Sequence, residues 1–254
     1  MLKPRLIVCL DVADGFVVKG RQFERLQRWG RPEDLARRYQ DEGADEVVVL
    51  DITASPEQRG PDVEMVGRVA RDLAIPLTVG GGLSRREQVG AVLAAGADKV
   101  SLNTAALADP ALVAESAGRY GSQAVVVAVD VRREDGDWRV YSRGGRVETP
   151  WRLRPWLERV EALGAGEILL TSIDQDGTGT GYDRQALAAA TQAVSLPVIA
   201  SGGAQHPDHL AQALAIAGVT GVLVAGVLHR GETTIGRLKQ ELAARGVMMR
   251  EQWA

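Results

Sequence analysis

The chain has 254 residues, 45% of them hydrophobic and 25% charged, which suits one large globular unit or two small ones with an extensive core. Its net charge is -3 and its Lys and Arg residues are dispersed, so no basic stripe points to nucleic acid or an anionic membrane. A lone cysteine, Cys9, excludes an intramolecular disulfide and a multi-cysteine metal site; no apolar run reaches the roughly 18 residues of a membrane span, and no cleavable signal pattern opens the chain. A reducing cytoplasm is the expected location.

The first predicted strand, Leu6 to Leu10, stops at Asp11. The stretch Asp14 to Gly30, with Lys19, Arg21 and Arg25, is expected to be a mobile loop, followed by a helix over Pro32 to Tyr39 that stops at Gly43. A second strand, Glu46 to Leu50, ends at Asp51. A third, Leu77 to Val79, runs into Gly80-Gly81-Gly82, and a helix over Arg85 to Ala95 stops at Gly96. The fourth strand, Lys99 to Leu102, leads into Asn103-Thr104, and the fifth, Ala124 to Val129, ends at Asp130. After a helix over Trp156 to Leu163 come strands at Glu167 to Leu170, Pro197 to Ala200 and Gly221 to Val224, with helices at Leu210 to Ile216 and Thr234 to Ala244.

Strands of continuous Val, Ile and Leu belong to parallel sheets covered on both faces. An offset of 121 residues carries Glu46–Leu50 onto Glu167–Leu170, Val79-Gly-Gly-Gly82 onto Ala200-Ser-Gly-Gly203, and Gly43-Ala44 onto Gly164-Ala165. Two such halves, about 1–122 and 123–254, can close on each other, so the fold class expected for 1–254 is α/β, a single (β/α)8 TIM barrel domain of two similar half-barrels.

In such a barrel the C-terminal strand ends form the mouth. Asp11 and Asp130 follow the first and fifth strands and so face one another across it, the arrangement one group needs to give a proton while the other takes one. The glycine-rich turns after strands three and seven, each followed by a second element at Leu102-Asn-Thr-Ala105 or Val224-Ala-Gly-Val227, suit two phosphates at opposite ends of a long substrate. The string Asp174-Gln-Asp-Gly-Thr-Gly-Thr-Gly-Tyr182 lacks the spacing of a dinucleotide site and is expected to be a mobile loop over the mouth. Arg5, Glu46, Lys99 and Glu167 begin strands and alternate in sign, so they are either solvated strand starts or a salt-bridged ring across the lower opening. His206, His209 and His229 have no clustered acidic or Cys partners, so no metal and no cofactor are expected. On these grounds alone the chain is a bis-phosphate enzyme, an isomerase among the possibilities, or a binding module that kept the fold and lost the chemistry.

The chain also resembles the cyclase subunit family of imidazole glycerol phosphate synthase, in histidine biosynthesis. Matches run over nearly its whole length: Cys9-Leu-Asp-Val12, Val17-Val-Lys-Gly20, Leu50-Asp-Ile-Thr-Ala-Ser55, Leu77-Thr-Val-Gly-Gly-Gly82, Ala97-Asp-Lys-Val-Ser-Leu-Asn-Thr-Ala105, Gly121-Ser-Gln123, Gly164-Ala-Gly-Glu-Ile-Leu-Leu-Thr-Ser172, Asp176-Gly-Thr178, Gly181-Tyr-Asp183 and Val198-Ile-Ala-Ser-Gly-Gly203. The resemblance implies a lyase that uses ammonia to close an imidazole ring, with Asp11 and Asp130 as catalytic acid and base and Lys19 on the loop after strand one. It implies one phosphate at Gly82, Asn103 and Thr104 and another at Asp176, Gly177, Gly203 and Gly226, with Asp51, Thr78, Thr171, Ser201, Gly202 and Ala225 completing the substrate-binding set. It further implies a glutamine amidotransferase (glutaminase) partner on the N-terminal face, Arg5, Glu46, Lys99 and Glu167 then forming an ammonia gate. Two departures stand out. Gly226 replaces a serine common in the family, and one residue is extra between Ser201 and that turn.

Overall fold

A computed structural model describes residues 3–21, 24–54 and 59–250. In chain order its elements are β1 (Arg5–Ala13), β2 (Phe16–Arg21), β3 (Glu24–Gly30), α1 (Pro32–Asp41), β4 (Glu46–Asp51), α2 (Val63–Arg71), β5 (Leu77–Gly80), α3 (Arg86–Ala94), β6 (Lys99–Leu102), α4 (Thr104–Ala108), α5 (Ala111–Tyr120), β7 (Val125–Glu134), β8 (Asp137–Ser142) and β9 (Val147–Arg152). They continue as α6 (Leu153–Ala162), β10 (Glu167–Ser172), α7 (Arg184–Ala193), β11 (Val198–Ser201), α8 (Pro207–Leu214), β12 (Val219–Val224), α9 (Gly226–His229) and α10 (Ile235–Ala243).

Eight strands, β1, β4, β5, β6, β7, β10, β11 and β12, pair in parallel in that order, and β12 returns to β1. The ring closes, so the barrel has no edge strand, and the expected (β/α)8 barrel is the fold observed. Side chains alternate along each strand. Leu6, Val8 and Leu10 face outward into the layer beneath the helices, while Ile7 and Cys9 point inward with Val48, Val126, Leu169, Ile199 and Leu223 to fill the barrel.

The helices lie against the outer layer through apolar stripes at helical spacing, such as Met65, Val66 and Val69 of α2. Asp62 and Asp183 cap α2 and α7 by accepting from the N–H groups of Met65 and Ala186, both at 2.9 Å. Fully buried Trp156 of α6 is among the largest side chains in the core, and its truncation to Ala is expected to cost about 3–5 kcal/mol. Among the described residues no helix is long and apolar enough to cross a membrane.

Two hairpins extend the barrel at its C-terminal end. β1 continues past Asp11 to Ala13 and pairs antiparallel with β2, which pairs with β3; β7 continues past Asp130 to Glu134 and pairs with β8, which pairs with β9. The loop expected over Asp14 to Gly30 is thus a hairpin, and strands one and five do not stop at their aspartates. Sequence periodicity missed both hairpins because polar residues crowd them, as in Glu24-Arg-Leu-Gln-Arg28 and Asp137-Trp-Arg139.

Candidate active site

Barrel order puts β1 and β7 four strands apart in either direction, so Asp11 and Asp130 stand on opposite walls of one cavity of about 950 Å3 at the C-terminal face. Asp11 is 5% exposed and accepts from the Cys9 thiol at 3.3 Å. Asp130 accepts from Asn103 Nδ2 at 2.9 Å and has Thr171 beside it on β10. Burial, then the negative charge of Asp176, push the Asp130 carboxyl up to about 7; the Asn103 hydrogen bond opposes them and the Asp11 charge adds to the rise. A carboxyl titrating there can both give and take a proton near neutral pH.

The cavity reaches two matched sets of turns. Gly81 and Gly202 have φ of 98° and 91°, and Gly82 and Gly203 have 69° and 96°, a region that side chains disfavour. A Cβ on Gly81 would meet the Asp51 carbonyl oxygen at 2.2 Å, and one on Gly203 the Gly181 carbonyl oxygen at 2.3 Å, so glycine is required for close backbone approach as well as for conformation. Asn103, before α4, has φ/ψ of -125°/-84°, and Ala225, before α9, has -142°/-81°. Such agreement at an unusual conformation extends the sequence repeat to the backbone.

The extra residue expected before Gly226 is absorbed far from this turn. β11 and β12 shift register between the Val198–Val219 and Ile199–Gly221 pairs, leaving Thr220 as a bulge near the barrel floor, where its hydroxyl lies 3.1 Å from Arg5 Nη2. The turn at Ala225-Gly226 is therefore undistorted.

Of the residues singled out in the sequence, Asp11, Asp51, Gly82, Asn103, Thr104, Asp130, Thr171, Asp176, Gly177, Ser201, Gly202, Gly203, Ala225 and Gly226 line this cavity. Asp51 is tied up in its own loop: Oδ1 accepts from the N–H groups of Thr53 and Ala54, and the carboxylate pairs with Arg59 at 2.8 Å. Thr78 is a correction. Its side chain points into the barrel, but one layer too low, and its hydroxyl donates to Glu46 Oε1 at 2.7 Å on the floor. Lys19 lies on β2, paired with Gln27, and its side chain falls outside the described residues. The stretch Asp174–Tyr182, expected to be a loop over the mouth, is a string of turns that lines the cavity at Asp176–Gly179, with Thr178 and Thr180 hydrogen-bonded to Gln175 and Gly181 N–H to the Gly203 carbonyl.

At the floor, Arg5 pairs with Glu46 at 2.8 Å and with Glu167, and Lys99 reaches Glu46 at 3.1 Å and Glu167 at 3.0 Å. The four charges form one closed, largely buried ring. Burial pushes the Glu167 carboxyl up, but the Arg5 hydrogen bond and the Arg5 and Lys99 charges outweigh it and hold the group below the usual carboxylate range. From floor to mouth the barrel therefore runs from charged ring, through an apolar layer, to the two aspartates.

The family model described as histidine biosynthesis protein matches residues 5–234. The chain is 51% identical to the imidazole glycerol phosphate synthase subunit HisF of Myxococcus xanthus, over 98% of this chain and 99% of that protein. It is 49% identical to the subunits of the same name from Streptococcus sanguinis and Geobacillus thermodenitrificans, over 98% of this chain and all of each relative. The chain belongs to this family.

Several cavity residues of this family member escaped sequence reasoning: Ser101, Arg59, Arg143, Arg146 and Arg230. The arginines sit on loops, where no strand end marks them. His229 closes α9 and holds it to the barrel. A carbonyl can only accept, so Nε2 donates to the Cys9 carbonyl at 3.2 Å, leaving Nδ1 to accept from Tyr39 Oη at 2.7 Å. That bond fixes the turn at Gly226 relative to the strand bearing Asp11. Among the described residues no group of three or more His, Cys, Asp or Glu is arranged to hold a metal ion.

Proposed function

We propose that the chain is the cyclase subunit of imidazole glycerol phosphate synthase. It adds ammonia to the formimino-linked phosphoribulosyl aminoimidazole carboxamide ribonucleotide, breaks the C–N bond to release aminoimidazole carboxamide ribonucleotide, and closes imidazole glycerol phosphate with loss of water. The observation that carries this reading is the pair of opposed carboxyls, one titrating near 7, between two matched glycine turns. The turns at Gly82, Asn103 and Thr104 and at Gly177, Gly203 and Gly226 take the two phosphates, and Asp11 and Asp130 move protons on opposite faces of the substrate between them. The ring of Arg5, Glu46, Lys99 and Glu167 is the ammonia gate, with a glutaminase subunit docked over it on the N-terminal face.

The test is consumption of the ketose substrate with ammonium salt, then with glutamine and a glutaminase subunit. Turnover is expected in both, and Asp11→Asn and Asp130→Asn should each lower kcat by at least about 100-fold with little change in substrate affinity. Near-normal turnover by either variant removes its assignment. Turnover of the aminoaldose isomer without ammonia would instead support the isomerase reading.

A further inference from the structure

The turn joining β8 to β9 carries Arg143, Gly144, Gly145 and Arg146, and both arginines line the cavity. Arg143, Gly144 and Gly145 have φ of 53°, 65° and 76°, three consecutive residues in the left-handed region. That conformation disfavours an arginine by about 1 kcal/mol, so its surroundings must hold it there. They do: the Arg143 N–H donates to Thr104 Oγ1 at 2.9 Å, and a Cβ on Gly145 would already touch Ile173. The hairpin grows from the second half-barrel, yet its tip is pinned to the residue opening α4 in the first. The other hairpin crosses in the opposite sense, with Trp29 of β3 packed 6.4 Å from the His229 ring on α9.

Charge pairing along the β7–β8–β9 sheet changes abruptly at this tip. Arg139 pairs with Glu134 at 3.4 Å and with Glu148 at 3.1 Å, and Arg152 reaches Asp135 at 4.0 Å. Among the described residues Arg143 and Arg146 have no carboxylate within 4.0 Å. At the far end of the same cavity Arg230 is paired with Glu232. Two exposed arginines without a carboxylate partner, side by side on the cavity lining and one of them tied through its backbone to Thr104, offer an anion a positive charge that no described carboxylate neutralises.

We propose that Arg143 and Arg146 clamp the substrate phosphate held by the first half-barrel and are specificity-determining residues for it. The identity of the substrate rests on the proposed function; the anion site does not. The clamp is built in trans, from the half-barrel that does not contribute the Gly82 and Asn103 turns. Occupation by a phosphate dianion replaces the missing carboxylates and bridges the hairpin to α4.

The test uses the whole chain with Arg143→Asn, Arg146→Gln and the double variant, Asn being chosen because it tolerates the left-handed conformation. With ammonium salt as nitrogen donor, KM should rise about tenfold for each single variant and more for the double, with kcat within about twofold of wild type. The control Arg154→Gln, on the outer face of α6, should leave KM unchanged. In a second measurement inorganic phosphate should raise the melting temperature of the wild type, and the rise should shrink to about half in the double variant as one of two phosphate sites is lost. A double-variant KM within twofold of wild type, or an equal thermal shift by phosphate, overturns the proposal. Should the wild type not turn over the ketose substrate, the functional reading fails, and the thermal measurement alone decides the clamp.

Discussion

A carboxyl raised to about 7 in the folded state costs stability once it must ionise. Asp130 binds its proton more tightly in the folded chain than in the unfolded one, so it adds no penalty below about pH 4, and folding stability declines as pH rises from there through about 7. Asp130→Asn keeps an oxygen for Asn103 and removes the ionisation. Its melting temperature should therefore match the wild type near pH 4 and exceed it at pH 8, and an equal difference at both pH values would sink the assignment of the shift. Asp11 and Asp130 were legible in the sequence because an acid placed after an apolar run needs no tertiary information. Thr78 was not, since its inward direction follows from strand parity but its height in the barrel depends on the stagger of neighbouring strands.

Among the elements, the barrel strands were legible because burial on both faces makes them uninterrupted runs of Val, Ile and Leu. The hairpins were not, because polar and charged residues interrupt the apolar runs of β2–β3 and β8–β9 and read as loop. The glycine turns at the mouth fall between these cases: their glycines were visible, and only the structure shows that contact as well as conformation requires them, which a hairpin glycine such as Gly136 does not share. Gly136, at φ 81° with open space for 4 Å around the point a Cβ would take, and Gly81, at φ 98° with the Asp51 carbonyl oxygen 2.2 Å from that point, are the contrast. Gly136→Ala should cost about 1 kcal/mol in urea unfolding and leave KM alone. Gly81→Ala must displace the β4–loop junction, and should cost several times as much and raise KM. Equal costs would mean that the approach of the two backbones imposes nothing.

At the scale of the whole molecule, the two halves share turns, hairpins and a carboxylate apiece, but the floor belongs to both, since β1, β4, β6 and β10 each contribute one charge. The ring was legible only as an alternation of sign; whether those residues met solvent or each other depended on barrel closure. Closure brings them together, and Glu46 is 1% exposed. Removing one member strands an unmatched buried charge, whereas removing an oppositely charged pair leaves a matched one. Glu46→Gln and Lys99→Met should each destabilise by about 3 kcal/mol in urea, the first leaving two cations facing Glu167, the second leaving two carboxylates facing Arg5. The double variant keeps the Arg5–Glu167 pair and should be less destabilised than the two losses added, by at least about 1 kcal/mol. Because Glu167 titrates below the usual carboxylate range when folded, its contribution is complete above the unfolded value and disappears as pH falls through the folded one, so the coupling should fade in strong acid. Full additivity at neutral pH would show four independent strand starts rather than one ring. If the ring is also the route for ammonia, Lys99→Met should change glutamine-dependent turnover more than turnover with free ammonium, because ammonium dissolved in solvent can reach Asp11 and Asp130 through the mouth.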